Sequence, residues 1–137
     1  MKFQLSKTLA KSFSIAPAAE DTAKVLEPEI SLTSFAVNVC APDAKLADTF
    51  AINFQVEASL TASHCAVINC NYWAYFKCEQ ELTLSFLESH FASVNAPAIA
   101  YPYLRSFLTN ALVSAGYPAV YLPTINFVEL AKQQEKD

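Results

Sequence analysis

The side chains able to do chemistry are few, and their spacing does not group them. The chain has two histidines, His64 and His90. His64 precedes Cys65 directly, but a cysteine–histidine nucleophile pair needs spatial adjacency and a third group to orient the base, and sequence adjacency supplies neither. A solvent-facing turn histidine is the simpler reading of His64. His90, two residues after Glu88, reads as the polar face of a helix. The four cysteines, Cys40, Cys65, Cys70 and Cys78, do not form paired C-x-x-C knuckles. A zinc site built from His64, Cys65, Cys70 and Cys78 fails on strand alternation, which puts Cys70 and Cys78 on one face and Cys65 on the other. Reduced thiols packed in apolar runs are expected instead, as in a cytoplasmic protein. The carboxylates Glu20, Asp21, Glu79 and Glu81 sit in turn-like or helix-start contexts that the helix dipole explains. A single glycine, Gly116, excludes a glycine-rich phosphate loop. No catalytic residue, metal or cofactor is expected, and the chain reads as a non-enzyme.

Aromatic residues are the stronger signal, with ten Phe, six Tyr and one Trp. Tyr72, Trp73 and Tyr75 follow one another so closely that they cannot all point inward. Hydrophobic residues make up 53% of the chain and charged residues 16%, against about a quarter charged in an ordinary soluble domain. At 137 residues the chain suits one domain spanning 1–137, whose core cannot hide all of this apolar surface. The remainder is expected at a subunit interface or a ligand surface. No apolar run approaches the roughly 18 residues that cross a bilayer, so membrane insertion is not expected. The net charge of −4 and nine dispersed basic residues lack the footprint of a nucleic-acid binder. Lys7 and Lys11 interrupt any apolar core of a secretory leader near the N-terminus.

The elements that position these residues follow from periodicity. Phe50, Ile52, Phe54, Val56, Ala58 and Leu60 alternate with Ala51, Asn53, Gln55, Glu57 and Ser59, the clearest strand in the chain. Over 29–39, Ile30 and Leu32 fall in one phase and Phe35, Val37 and Val39 in the other, so a bulge or bend is expected near Ser34. Residues 66–76 form a strand apolar or aromatic on both sides. Phe3, Leu5, Leu9, Phe13 and Ile15 are spaced as a fourth strand, with Ala41-Pro42-Asp43-Ala44 and Thr61-Ala62-Ser63 as connections, and a meander is the simplest topology. A helix follows from Leu82 to Val94, ending near Asn95-Ala96-Pro97. A longer one has Pro102 in its first turn, Leu104, Leu108, Ala111, Leu112 and Ala115 on one stripe, and Gly116 as its left-handed cap. Residues 117–124 read as an ordered extended loop, and Asn126 with Glu129 as the capped start of a last helix. The fold class is α+β, a four-stranded antiparallel sheet with helices packed on one face.

Several of these segments occur together, in order, in one known family. Asn95-Ala96-Pro97-Ala98-Ile99-Ala100-Tyr101-Pro102-Tyr103-Leu104-Arg105, then Gly116-Tyr117-Pro118, then Leu122-Pro123-Thr124-Ile125-Asn126-Phe127, resembles the SecB family. Pro28-Glu29-Ile30-Ser31-Leu32 and Leu46-Ala47-Asp48 upstream are also similar, so the likeness runs from about Phe3 to Leu130. The resemblance implies a cytoplasmic, ATP-independent chaperone that holds unfolded polypeptides, assembled as a homotetramer, a dimer of dimers with long peptide grooves. Candidate groove residues are Ile30, Leu32 and Phe35, then Ile68, Cys70 and Tyr72, and Phe127 and Leu130 of the last helix. Ala111 and Ala115 are small enough for close subunit contact. Family members that deliver cargo to the translocase ATPase use acidic docking positions, which fall here on Lys11, Ile15 and Asn69; none is acidic. That departure points to altered delivery, with a dedicated partner such as an antitoxin as the alternative to general export.

Overall fold

Alternation over residues 50–60 produces a strand whose two faces differ completely, and the rest of the sheet is built on it. In the computed structural model, which describes residues 2–18, 27–41 and 48–136, four strands form one antiparallel sheet: β1 (Phe3–Pro17), β2 (Glu29–Cys40), β3 (Thr49–Thr61) and β4 (Ala66–Cys78). Pro42–Ala44, Glu20 and Asp21 lie outside the described residues. The spatial order is β1-β4-β3-β2, which corrects the expected meander. Only β2, β3 and β4 follow in sequence, and β1 pairs with β4 at the far edge. The strands with the most apolar faces, β3 and β4, thereby take the centre. β1, with Lys7 and Lys11, takes an edge, where charge and bulges discourage unwanted pairing.

Three bulges set which side chains face which way. The β2–β3 register shifts between Leu32 and Ser34, where the phase switch was expected. The β1–β4 register shifts twice, between Leu5 and Lys7 and between Ala10 and Ser12. Each extra residue inverts the alternation, so Thr8 and Ala10 turn toward the helices and Leu9 turns away, contrary to the single phase expected for Phe3, Leu5, Leu9, Phe13 and Ile15. Two bulge residues bond the partner strand with their hydroxyls: Ser6 Oγ donates to the Tyr75 carbonyl at 3.0 Å and Thr33 Oγ1 to that of Glu57 at 2.9 Å.

The helices cover one face. α1 (Leu84–Leu87) is short and capped by Thr83, whose Oγ1 accepts from the Phe86 amide at 3.0 Å. A π-helical turn, Phe91–Asn95, runs directly into α2 (Ala96–Ser114), and α3 (Phe127–Lys136) closes the chain. The helix break expected at Asn95-Ala96-Pro97 does not occur. The wide π turn makes room ahead of Pro97, whose ring would otherwise meet the carbonyl four residues back. Pro102 lies inside α2 rather than in its first turn. Both it and Ala98, whose carbonyl loses the bond, are exposed, so water can replace the missing donor. At the other end, Gly116 adopts φ 97, with its amide on the Val113 carbonyl (3.1 Å) and the Tyr117 amide on that of Leu112 (2.8 Å), a Schellman cap.

Between sheet and helices lies a core rich in aromatic edges. Phe50 stacks on Phe76 at 5.1 Å, with Phe3 and Phe86 edge-on to the pair. Tyr72 and Phe13 both meet Phe107 of α2. Phe54 meets Phe35, Tyr101 and Phe127. Leu104, Leu108 and Leu112 supply the buried stripe of α2.

Candidate functional site

Three polar side chains one helical turn apart hold the segment after α2 in an extended path. Tyr101 donates its hydroxyl to the Pro123 carbonyl, Arg105 Nε donates to Leu122 O at 3.0 Å, and Thr109 Oγ1 donates to Val120 O at 2.8 Å. Spacing of four residues puts all three on one face of the helix, so α2 grips a strand-like segment that has no sheet partner. The Arg105 guanidinium also sits 6.0 Å from the Tyr101 ring and 5.9 Å from that of Tyr121. Burial pushes the Tyr101 phenol up to about 12, with the Arg105 charge opposing the rise. Asn126 Oδ1 then accepts from the Glu129 amide at 3.2 Å and starts α3.

This held segment forms one wall of an apolar groove of about 500 Å³ lined by Val94, Ala98, Thr124, Ile125, Asn126, Phe127 and Val128. The π turn packs against both β2 and α3, so the groove adjoins the helix-facing side of the edge strand. Val128 of its lining is 38% exposed, and Tyr121, in the held segment that precedes the lining residues, is 61% exposed. On the outer side of α2, Ile99, Tyr103 and Val113 are exposed, with the polar Ser106 and Asn110 between them.

The candidate groove residues divide by strand position. Ile30, Leu32 and Phe35 lie on edge strand β2 and Leu130 on α3, and all four are half-buried against the core. Ile68, Cys70 and Tyr72 belong to central strand β4 and lie buried beneath the helix layer, whereas Phe127, the first residue of α3, is buried but lines the groove. Burial pushes the Cys70 thiol up to about 12. Ala111 is half-buried, and Ala115 is exposed as the C-cap residue of α2. Lys11 and Asn69 project from the sheet face away from the helices, whereas Ile15 packs against the core, so these three positions do not share one surface. Val128 and Tyr121 were missed; their signal was an apolar residue beside a helix cap and one between two prolines.

His64 and His90 are exposed. Cys70 and Cys78 are buried, Cys40 and Cys65 half-buried, and all four are free thiols. Burial raises the Cys40 thiol, and the Lys11 ammonium lowers it by a smaller amount. Among the described residues no three His, Cys, Asp or Glu side chains group as a metal site, and no helix is long and apolar enough to cross a membrane.

Residues 1–137, the whole chain, match the model of the family described as SecB, preprotein translocase subunit SecB. The chain belongs to the SecB family. Two relatives are the protein-export protein SecB 2 of Polaromonas naphthalenivorans, 43% identical over 44 residues, and the protein-export protein SecB of Dichelobacter nodosus, 40% identical over 45. Those stretches cover 32% and 33% of this chain, and the chain matches only 27% and 29% of the relatives' own length. Among solved structures, a Mycobacterium tuberculosis SecB-like chaperone in complex with a ChAD peptide from the HigA1 antitoxin is similar with a TM-score of 0.67 at 18% identity, over 90% of both chains. A Streptococcus agalactiae protein of unknown function is similar with a TM-score of 0.54 at 11% identity, over 90% of this chain and 98% of the other. These likenesses show the SecB fold, with its four-stranded antiparallel sheet and its helices.

Proposed function

We propose that this SecB family member is an ATP-independent holdase, a single non-enzymatic domain over 1–137 that binds non-native polypeptides in the cytoplasm. The observation that carries the reading is the groove between the π turn, the held segment and the start of α3, mostly apolar in its lining and flanked by the π turn that packs against β2. Ile30, Leu32, Phe35 and Leu130 line its approach as the client contacts with Phe127 in its wall, and Ile68, Cys70 and Tyr72 form the layer that holds them in place. An extended client places alternate side chains into such a groove, and shape and apolarity rather than sequence decide what enters. Export-protein relatives and a SecB-like neighbour solved with an antitoxin peptide support polypeptide as the ligand class. In this reading the exposed Ile99, Tyr103 and Val113 of α2 are covered on assembly into a tetramer, with Ala111 and Ala115 as the small residues that allow close subunit contact.

The test is suppression of aggregation of several unrelated unfolded proteins without nucleotide, with the oligomer mass measured alongside. Broad suppression by the wild-type chain and loss of most of it in a Tyr121→Ser/Val128→Ser variant is the expected outcome. Both side chains are exposed, so the fold survives the change. Suppression of one client alone identifies a dedicated chaperone, the reading that Lys11 and Asn69 favour by standing where acidic docking residues are implied. A variant as active as wild type refutes the groove.

A further inference from the structure

We propose that the sheet face opposite the helices is, over its β1/β4 half, a docking surface for an acidic polypeptide segment. This surface is separate from the groove and stands on observations of its own. The inverted alternation of β1 brings Leu9 opposite Trp73 and Lys7 opposite Tyr75. Trp73 and Tyr75 stack at 6.2 Å and 19°. Lys11 Nζ lies 3.9 Å from the Trp73 ring centroid and Lys7 Nζ 4.9 Å from that of Tyr75. Leu9 beside them is 44% exposed. Two ammonium groups are thus fixed over an aromatic step with an apolar residue next to them.

Charge on this half is one-sided. β1 and β4 carry Lys7, Lys11 and Lys77 and no aspartate or glutamate, in a chain of net charge −4. Lys77 has Asp48 at 4.0 Å. Among the described residues neither Lys7 nor Lys11 has a carboxylate partner. Glu57, the acidic residue on the outer side of β3, lies opposite Asn69, past Asn71 and away from the aromatic step. An ammonium seated on a ring keeps its outward side free, so a carboxylate pairs with it without breaking the ring contact.

An acidic peptide answers these features together, with carboxylates for Lys7 and Lys11 and an apolar side chain for Leu9. A phosphate backbone does not fit as well, because three lysines without an arginine release few counterions and the chain's negative charge opposes approach.

Trp73 is the one tryptophan in the chain, so its emission reads this face alone. The full-length protein is titrated with a synthetic Glu-Glu-Leu repeat peptide, a Lys-Lys-Leu repeat of equal length and an oligothymidylate. The expected result is a saturable change in emission with the acidic peptide only, weakened by added salt. A Lys7→Gln/Lys11→Gln variant, still folded and melting cooperatively, binds about tenfold more weakly from the loss of two exposed charge pairs. Tyr121→Ser/Val128→Ser binds the acidic peptide normally, which separates this face from the client groove. Equal binding of the cationic peptide, unchanged binding by the lysine variant, or a response to oligothymidylate alone overturns the proposal, the last by making the face a nucleic-acid surface.

Discussion

Asn53 and Phe54 are neighbours in β3 and almost equally hidden, at 2% and 0% exposed, yet opposite physics hides them. Phe54 faces the helices, with ring centroids of Phe35, Tyr101 and Phe127 at 6.0, 6.2 and 6.5 Å. Asn53 faces outward, where its Oδ1 accepts from Asn38 at 3.3 Å and Gln55 at 3.2 Å while its Nδ2 donates to Asn71 at 2.6 Å. One face is close-packed and indifferent to direction; the other is an amide network in which each group depends on its neighbours. A two-residue period on four strands has thus made one side that buries apolar surface and another that presents polar and cationic groups. Client binding and partner docking are proposed for opposite sides of this sheet for that reason.

The contrast is sharpest in the packed face, where the largest effect is expected. Phe54→Ala removes a buried ring from the junction of β2, α2 and α3 and should cost about 3–5 kcal/mol in urea denaturation. Because Phe54 underlies Phe127 and Tyr101, the loss of the groove floor should accompany the loss of stability. A cost under about 1 kcal/mol would mean that the helix layer is not the main source of stability.

Next in size is the phenol that ties α2 to the held segment. Burial raises the Tyr101 pKa to about 12 from an ordinary value of about 10. The folded state therefore favours the neutral phenol: its stabilisation is complete below about pH 10 and is lost as pH rises toward 12, by roughly 2–3 kcal/mol. Tyr101→Phe should remove that part of the alkaline loss, measured as melting temperature against pH, because it removes both the ionisable group and the bond to the Pro123 carbonyl.

On the outer face, Asn53→Ala leaves Asn38, Gln55 and Asn71 short of partners and should cost about 1–3 kcal/mol. Asn53→Leu tests whether the network or mere filling matters. If leucine restores wild-type stability, the two faces are interchangeable and the contrast collapses.

How much of this was legible in the sequence depended on whether the signal was local. The β3 alternation, the β2 bulge, the Gly116 cap and the extended segment after it each rest on a few adjacent residues, and each appears in the structure. The Leu9 inversion was not legible, because a bulge is fixed by the partner strand and β1 pairs with β4, sixty residues away in approximate terms of chain separation. The same long-range pairing hid the strand order. Of the groove residues, Ile30 and Ile68 look alike in sequence; only their positions at an edge and at the centre of the sheet separate a half-buried rim from a covered floor. The lysine pair was invisible as a cluster for the same reason, since Lys7 and Lys11 become one patch with Trp73 and Tyr75 only through the β1–β4 register.

The smallest expected effect lies on that patch and tests the comparison most finely. Lys11 is exposed and its ammonium rests on the Trp73 ring at 3.9 Å, so Lys11→Ala should lower stability by only about 0.5–1 kcal/mol. Tryptophan emission in the free protein should change nonetheless, because the ring loses the charge on its face. Lys11→Arg keeps a cation able to stack on the indole and should leave both stability and emission near wild type. A large loss of stability in Lys11→Ala would show that this lysine holds the sheet together, as Phe54 does on the other side. A small loss with altered emission would leave its charge free for a partner, because stability does not depend on where the ammonium points.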